Sequence, residues 1–217
     1  MNNLSIIILH SPNGEKDRDN NFNFIYPYMQ SIFPNAEFVI ADDPTSEPYF
    51  CRSHTINHGV RQSTKENLII MDNDIYLSKE LLLQGLELLE TSPFVIPFGI
   101  IKDLIPPVCD SITSGEPHNY NELVNYSYMD RDIRQDKMAG GLQIFKRQFF
   151  NEIGGYDERI KRWGYEDSYM CQKAKHALGD YPIIEDGIGY HLFHPRKQDW
   201  SYNKEFYYQL LEELHGT

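Results

Sequence analysis

Asp72 and Asp74 follow directly on an apolar run in "NLIIMDND" (67–74), two like charges one residue apart. On an extended backbone such carboxylates lie about 6–7 Å apart, and each is costly to desolvate without a positive partner. A divalent cation held by hard oxygen ligands meets that need. His191 and His194 are spaced by three in "YHLFHPR". Imidazole nitrogen combined with the Asp74 carboxylate suits manganese or a similar first-row cation better than calcium. Glu166 and Asp167 are adjacent in "RWGYEDSYM", with Tyr156, Trp163, Tyr165, Gly154, Gly155 and Gly164 around them. Aromatic rings stack on the apolar faces of sugars while carboxylates accept hydroxyl hydrogens, so this segment fits sugar recognition. Each group also has a plainer reading. Asp and Asn terminate strands in turns, and acids in a first helical turn complement the helix dipole.

The elements that must position these residues are legible as a series. "LSIIIL" (4–9), "EFVIAD" (37–42) and "NLIIMDND" (67–74) are short apolar runs without alternation, expected as strands buried on both faces. Between the first two, "NFNFIYPYMQSIF" is expected to be helical in its second half, with Pro27 near a helix start. Between the next two, Ile56 and Val60 share a helical face. This alternation predicts βαβ units and a parallel sheet, with ligands beyond the carboxyl ends of the strands, where Asp42, Asp43, Asp72 and Asp74 fall. "SKELLLQGLELLE" (78–90) reads as a helix capped by Ser78, and 92–101 as a strand region. Residues 102–136 read as a long irregular insert of the kind that forms lids. A strand, a short helix, a Gly-rich turn and a helix from about 165 follow, then a strand ending on the two histidines and a closing helix.

Composition narrows the class. The 217 residues are 41% apolar and 13% aromatic, enough for a substantial core. No apolar run approaches a membrane span, and the start lacks a secretory signal pattern, which makes a soluble protein the expectation. The three cysteines have no CxxC spacing, which favours the reducing cytoplasm over a disulfide framework. A net charge of −12 weighs against a nucleic-acid partner.

With those residues in view, the chain resembles GT-A glycosyltransferases, most of all the β-1,4-galactosyltransferase type and the galactosyltransferase-like C-terminal region of bacterial polysaccharide synthases. "YFCRSHTINHGV" is similar to the family's Phe-Asn-Arg-Ala segment, and "IIMDNDIYL" stands in place of its Asp-x-Asp motif. "GGLQIFKRQFFNEIGGYDERIKRWGYEDSYM" resembles the Gly-Gly…Trp-Gly-x-Glu-Asp block, and "HLFH" falls where the last metal ligand is kept. Tyr165 departs from the pattern, standing where a second glycine is common.

The resemblance implies an α/β, Rossmann-like GT-A fold, mostly parallel, as a single domain over 1–217. Residues 1–101 would bind the nucleotide-sugar, and 102–217 the acceptor. It implies Mn²⁺ (or Mg²⁺) on Asp74 and His194, with His191 as a possible second imidazole, and Asp72 near the ribose or a metal-bound water. Arg52 would contact the nucleotide or its diphosphate, and Asp43 the uracil. Gly140 and Gly141 would let the backbone approach a sugar, Trp163 would form its platform, and Glu166 would hold a hydroxyl. Asp167 matches the catalytic base. The expected reaction is inverting transfer of a hexose or N-acetylhexosamine from a UDP-sugar to an acceptor hydroxyl. The acceptor would be a glycan, lipid-linked glycan or glycoprotein, reached in the cytoplasm or by peripheral membrane contact. The alternatives are a retaining transferase of the polypeptide N-acetylgalactosaminyltransferase type and a non-catalytic sugar- or nucleotide-binding module.

Overall fold

The computed structural model describes residues 3–10, 15–135, 140–195 and 200–216. The strands are β1 (Leu4–Leu9), β2 (Glu37–Ala41), β3 (Asn67–Asp72), β4 (Ile75–Tyr76), β5 (Phe94–Val95), β6 (Ile100–Leu104), β7 (Ser127–Asp132), β8 (Leu142–Lys146) and β9 (Ile188–His191). The helices are α1 (Lys16–Ile32), α2 (Arg52–Gln62), α3 (Lys79–Leu88), α4 (Pro106–Thr113), α5 (Arg147–Glu152), α6 (Glu166–Leu178) and α7 (Lys204–His215).

One sheet has the order β2-β1-β3-β8-β5 and a second the order β4-β9-β6-β7. β1 runs parallel to both β2 and β3, as the alternation of strands and helices requires. β8 then enters antiparallel to β3 and β5, so the sheet is mixed beyond its first three strands. β1 is buried along its whole length, which is why it shows no polar alternation. Ile6, Ile7, Ile8, Ile69, Ile144 and Phe145 belong to one core that also takes in Tyr190 and Leu192 near the second sheet.

Three expectations change. Pro27 lies inside α1 and not near its start. It sits on the exposed face together with Asn23, whose carbonyl is the one Pro27 cannot bond, so that carbonyl can be solvated while Ile25 and Met29 anchor the buried face. The expected strand region 92–101 is two separate strands, β5 and β6, in different sheets. Residues 102–136 are not an irregular insert: they hold the rest of β6, α4, β7 and two 3-10 turns. The second sheet matters for function because its register sets Asp103 opposite His191 across β6 and β9, and Ile75 opposite His191 across β4 and β9.

Candidate active site

The stretch Asp72-Asn73-Asp74 is the turn through which the chain leaves the first sheet for the second. Its two carboxylates part company there, and each finds its own cations. Asp72 Oδ1 accepts from Arg52 Nε at 3.0 Å. Asp74 Oδ2 lies 3.2 Å from His194 Nε2 and 3.5 Å from Arg18 Nη1, and Asp74 Oδ1 lies 3.7 Å from His191 Nε2.

Asp74, His191 and His194 offer one oxygen and two nitrogens all within 4.8 Å of one another. Asp74 is 3% exposed, and its Oδ1 is buried without a hydrogen-bond donor among the described residues. A buried anionic oxygen facing two imidazoles is a donor set that fits a first-row divalent ion such as Mn²⁺. Burial on its own would raise the Asp74 carboxyl, but His191, His194 and Arg18 outweigh it and hold the group well below the usual range. Burial lowers His194, and the hydrogen bond and charge of Asp74 more than reverse this.

Arg52 opens α2 and is 3% exposed. Besides Asp72, its Nη1 lies 2.6 Å from Asp167 Oδ2 and 3.3 Å from Glu166 Oε1. Burial would lower its pKa, and the three carboxylates, Asp167 foremost, raise it well above the ordinary value. Glu166 and Asp167 reach it from the first turn of α6. Asp167 Oδ1 accepts from the Tyr156 hydroxyl at 2.7 Å. Gly140 lies so close that a Cβ there would sit 2.6 Å from Asp167 Oδ2. Gly141 has φ +102 and a carbonyl that accepts from the Asp72 N–H at 2.8 Å, so it requires glycine and ties β8's start to the turn.

The loop before α6 is wound tightly. Arg162 and Tyr165 have φ of 62° and 71°, conformations that glycine favours. Tyr165 therefore holds a backbone shape that glycine favours, while its ring packs 4.9 Å from Tyr207 of α7. Asn203 is 3% exposed and donates to the carbonyls of Lys161, Gly164 and Trp163 at 2.6, 3.1 and 3.5 Å. Half-buried Trp163 is thus carried on a loop clamped from α7's start.

The structure brings together Arg52, Asp72, Gly140, Glu166 and Asp167, and beside them Asp74, His191 and His194. Asp43 lies two residues beyond the end of β2, and its carboxylate accepts from N–H groups of the loop that follows, Thr45 at 2.8 Å and Cys51 at 2.5 Å. There it braces the approach to Arg52. The roles of Asp103 and Tyr156 are not legible in the sequence pattern. Asp103, fully buried, lies 3.1 Å from His191 Nδ1, and Tyr156 holds Asp167. Asp103 sat in a stretch without periodicity, whereas Tyr156 was visible only as one of several aromatics.

The comparisons agree with this architecture. The family model described as the N-terminal domain of galactosyltransferase matches residues 122–195. A probable N-acetylgalactosaminyltransferase 9 of Caenorhabditis elegans is 33% identical over 88 residues, 39% of this chain. That stretch spans only 14% of the relative's length. A Drosophila β1,4-galactosyltransferase 7 variant in complex with manganese, UDP-Gal and xylobiose superposes with TM-score 0.56 at 16% identity, covering 94% of this chain and 79% of that one. Residues 1–349 of TarS from S. aureus give TM-score 0.61 at 14% identity, covering 97% and 64%. The chain therefore has the GT-A fold of the glycosyltransferases, and its 122–195 stretch is galactosyltransferase-like.

Proposed function

We propose that this chain transfers a hexose or N-acetylhexosamine from a UDP-sugar to an acceptor hydroxyl, with inversion and with the help of a divalent cation. The observation that carries the reading is the meeting of two clusters across one turn: Asp74 with His191 and His194, and Arg52 with Asp72, Glu166 and Asp167. A cation on the first cluster would supply charge stabilisation to the departing diphosphate.

The protein's own side chains do the rest. Arg52 offers positive charge in a buried setting, where it counts for more than in water. Glu166, whose Oε2 is buried without a donor among the described residues, is suited to a sugar hydroxyl. Asp167, packed closely against Gly140, takes the acceptor's proton as the acceptor oxygen attacks the anomeric carbon from the face opposite the leaving group. UDP-Gal, manganese and xylobiose in the Drosophila structure support the donor, the metal and a glycan acceptor. A cytoplasmic setting accords with three buried free thiols. Among the described residues no helix is long and apolar enough to cross a membrane, and peripheral contact with a lipid-linked acceptor is part of the proposal. A retaining course is the second reading, favoured by the N-acetylgalactosaminyltransferase relative.

The test is UDP release from UDP-Gal, UDP-Glc and their N-acetyl forms with Mn²⁺, with and without EDTA, followed by proton NMR of the product's anomeric coupling. Loss of turnover by about a hundredfold or more in Asp167→Asn, with UDP binding kept, supports the assignment. UDP release unaffected by both EDTA and Asp167→Asn refutes it.

A further inference from the structure

Asp167 carries more structure than a base alone needs. Its Oδ2 lies 2.6 Å from Arg52 and packs closely against Gly140, while its Oδ1 lies 2.7 Å from the Tyr156 hydroxyl. Tyr156 is 2% exposed, and its hydroxyl lies 2.7 Å from a second acceptor, Gln143 Oε1, on β8. Gln143 is 1% exposed and its Nε2 contacts Cys171 Sγ on α6 at 3.6 Å. The Tyr156 backbone is pinned in turn. Its N–H donates to Asn57 Oδ1 at 2.9 Å, and Asn57 Nδ2 donates back to its carbonyl at 2.8 Å. Asn57 stands on α2, the helix that Arg52 opens. Two grips on opposite oxygens therefore originate on one helix.

We infer that Tyr156, backed by Gln143, is a positioning residue that locks the Asp167 carboxylate with Oδ2 toward the acceptor and serves it in both protonation states. The inference rests on Asp167 being the base. A phenol has one proton and here has two acceptors. While Asp167 is ionised it is the stronger acceptor, and the Tyr156 proton points to it. In the transfer, the acceptor oxygen bonds to the anomeric carbon as the bond from that carbon to the diphosphate oxygen breaks with its electron pair. The acceptor's proton passes to Asp167 Oδ2. Asp167 is then a weaker acceptor, and the Tyr156 proton turns to Gln143 Oε1. It never leaves the phenol oxygen, so the buried hydroxyl donates to one of its two acceptors at every stage.

The readout is the titration of Asp167, followed by carbon-13 NMR of protein labelled at the aspartate carboxyls in Mg²⁺ buffer. The signal is identified by its loss in Asp167→Asn. In Tyr156→Phe the ionised form loses its donor, so the midpoint moves up by about one to two pH units. kcat for UDP release from UDP-Gal or UDP-GalNAc falls about tenfold to a hundredfold, with donor KM unchanged. In the Asp167→Asn background the same substitution has no further effect on the residual rate. An unmoved midpoint, or an equal loss in that background, overturns the inference. Should Tyr156→Phe not fold, Gln143→Leu decides: with the competing acceptor gone the midpoint moves down, and an unmoved one overturns it. Wild-type turnover by Asp167→Asn would instead defeat the base assignment, whatever the titration gives.

Discussion

His191 Nδ1 lies 3.1 Å from Asp103 Oδ1, a carboxylate with no exposed surface that Arg131 also contacts at 2.5 Å. His191 has its other nitrogen, Nε2, toward Asp74. A carboxylate on one ring nitrogen fixes the proton there and leaves the other lone pair for a cation, and it raises the basicity of the ligand.

Asp103→Asn should therefore weaken Mn²⁺ binding by about 10–100-fold while leaving the fold in place. Titration of free Mn²⁺ by electron paramagnetic resonance measures it directly. Affinity equal to wild type would mean that Asp103 does not tune His191 as a ligand.

Asp74 supplies the charge of the metal cluster, and a ligand that binds only the folded chain stabilises it by mass action. Mn²⁺ at about a hundred times its Kd should add about 2.7 kcal/mol, or roughly 5–10 °C in Tm for a chain of this size. Asp74→Ala should melt at the same temperature with Mn²⁺ as with EDTA. A metal-induced rise that survives the substitution would place the ion elsewhere.

How much of this was legible differs by segment, and the reason is local polarity. β1 and β3 declare themselves because strands covered on both faces are apolar throughout. β6 and β7 did not, because the buried positions of β6 include charges, Lys102 and Asp103, that pair with Asp130 and Arg131 of the exposed to half-buried β7. A pattern search for apolar alternation reads such residues as loop. The acids and histidines of the site were legible from residue type and placement at strand ends. What joins them was not: the hydrogen bond of Tyr156 to Asp167 and the pairing of Asp103 with His191 arise from contacts distant in sequence. Asp43 shows the reverse case, a conspicuous strand-end acid whose oxygens are engaged by its own loop.

Gly140 gives a prediction of geometry. A methyl there would stand 2.6 Å from Asp167 Oδ2, and a free carboxylate would simply turn aside. This one is held by Tyr156 and Arg52. Gly140→Ala should therefore displace the carboxylate or cover the oxygen that faces the acceptor. A loss of at least about tenfold in kcat is expected, with Tm and Mn²⁺ affinity near wild type. Unimpaired turnover would show that the reaction does not depend on this placement of Oδ2.

Glu166 gives a prediction of pH dependence. It is 3% exposed, and burial, the largest influence, pushes its carboxyl from 4.5 to about 7, with Asp167 and Asp72 adding to the rise and Arg52 opposing it. Between those values the folded chain holds a proton that the unfolded chain has released. The stability this confers is complete below about pH 4.5 and is lost as pH rises through about 7. Glu166→Gln is neutral throughout and escapes that loss. The stability of the variant minus that of wild type should thus become more positive between about pH 5 and about pH 8, by on the order of one to three kcal/mol. Calorimetric melts of both proteins in EDTA across that range test it. A difference that is flat or falls with pH would show that Arg52 keeps Glu166 ionised in the folded state.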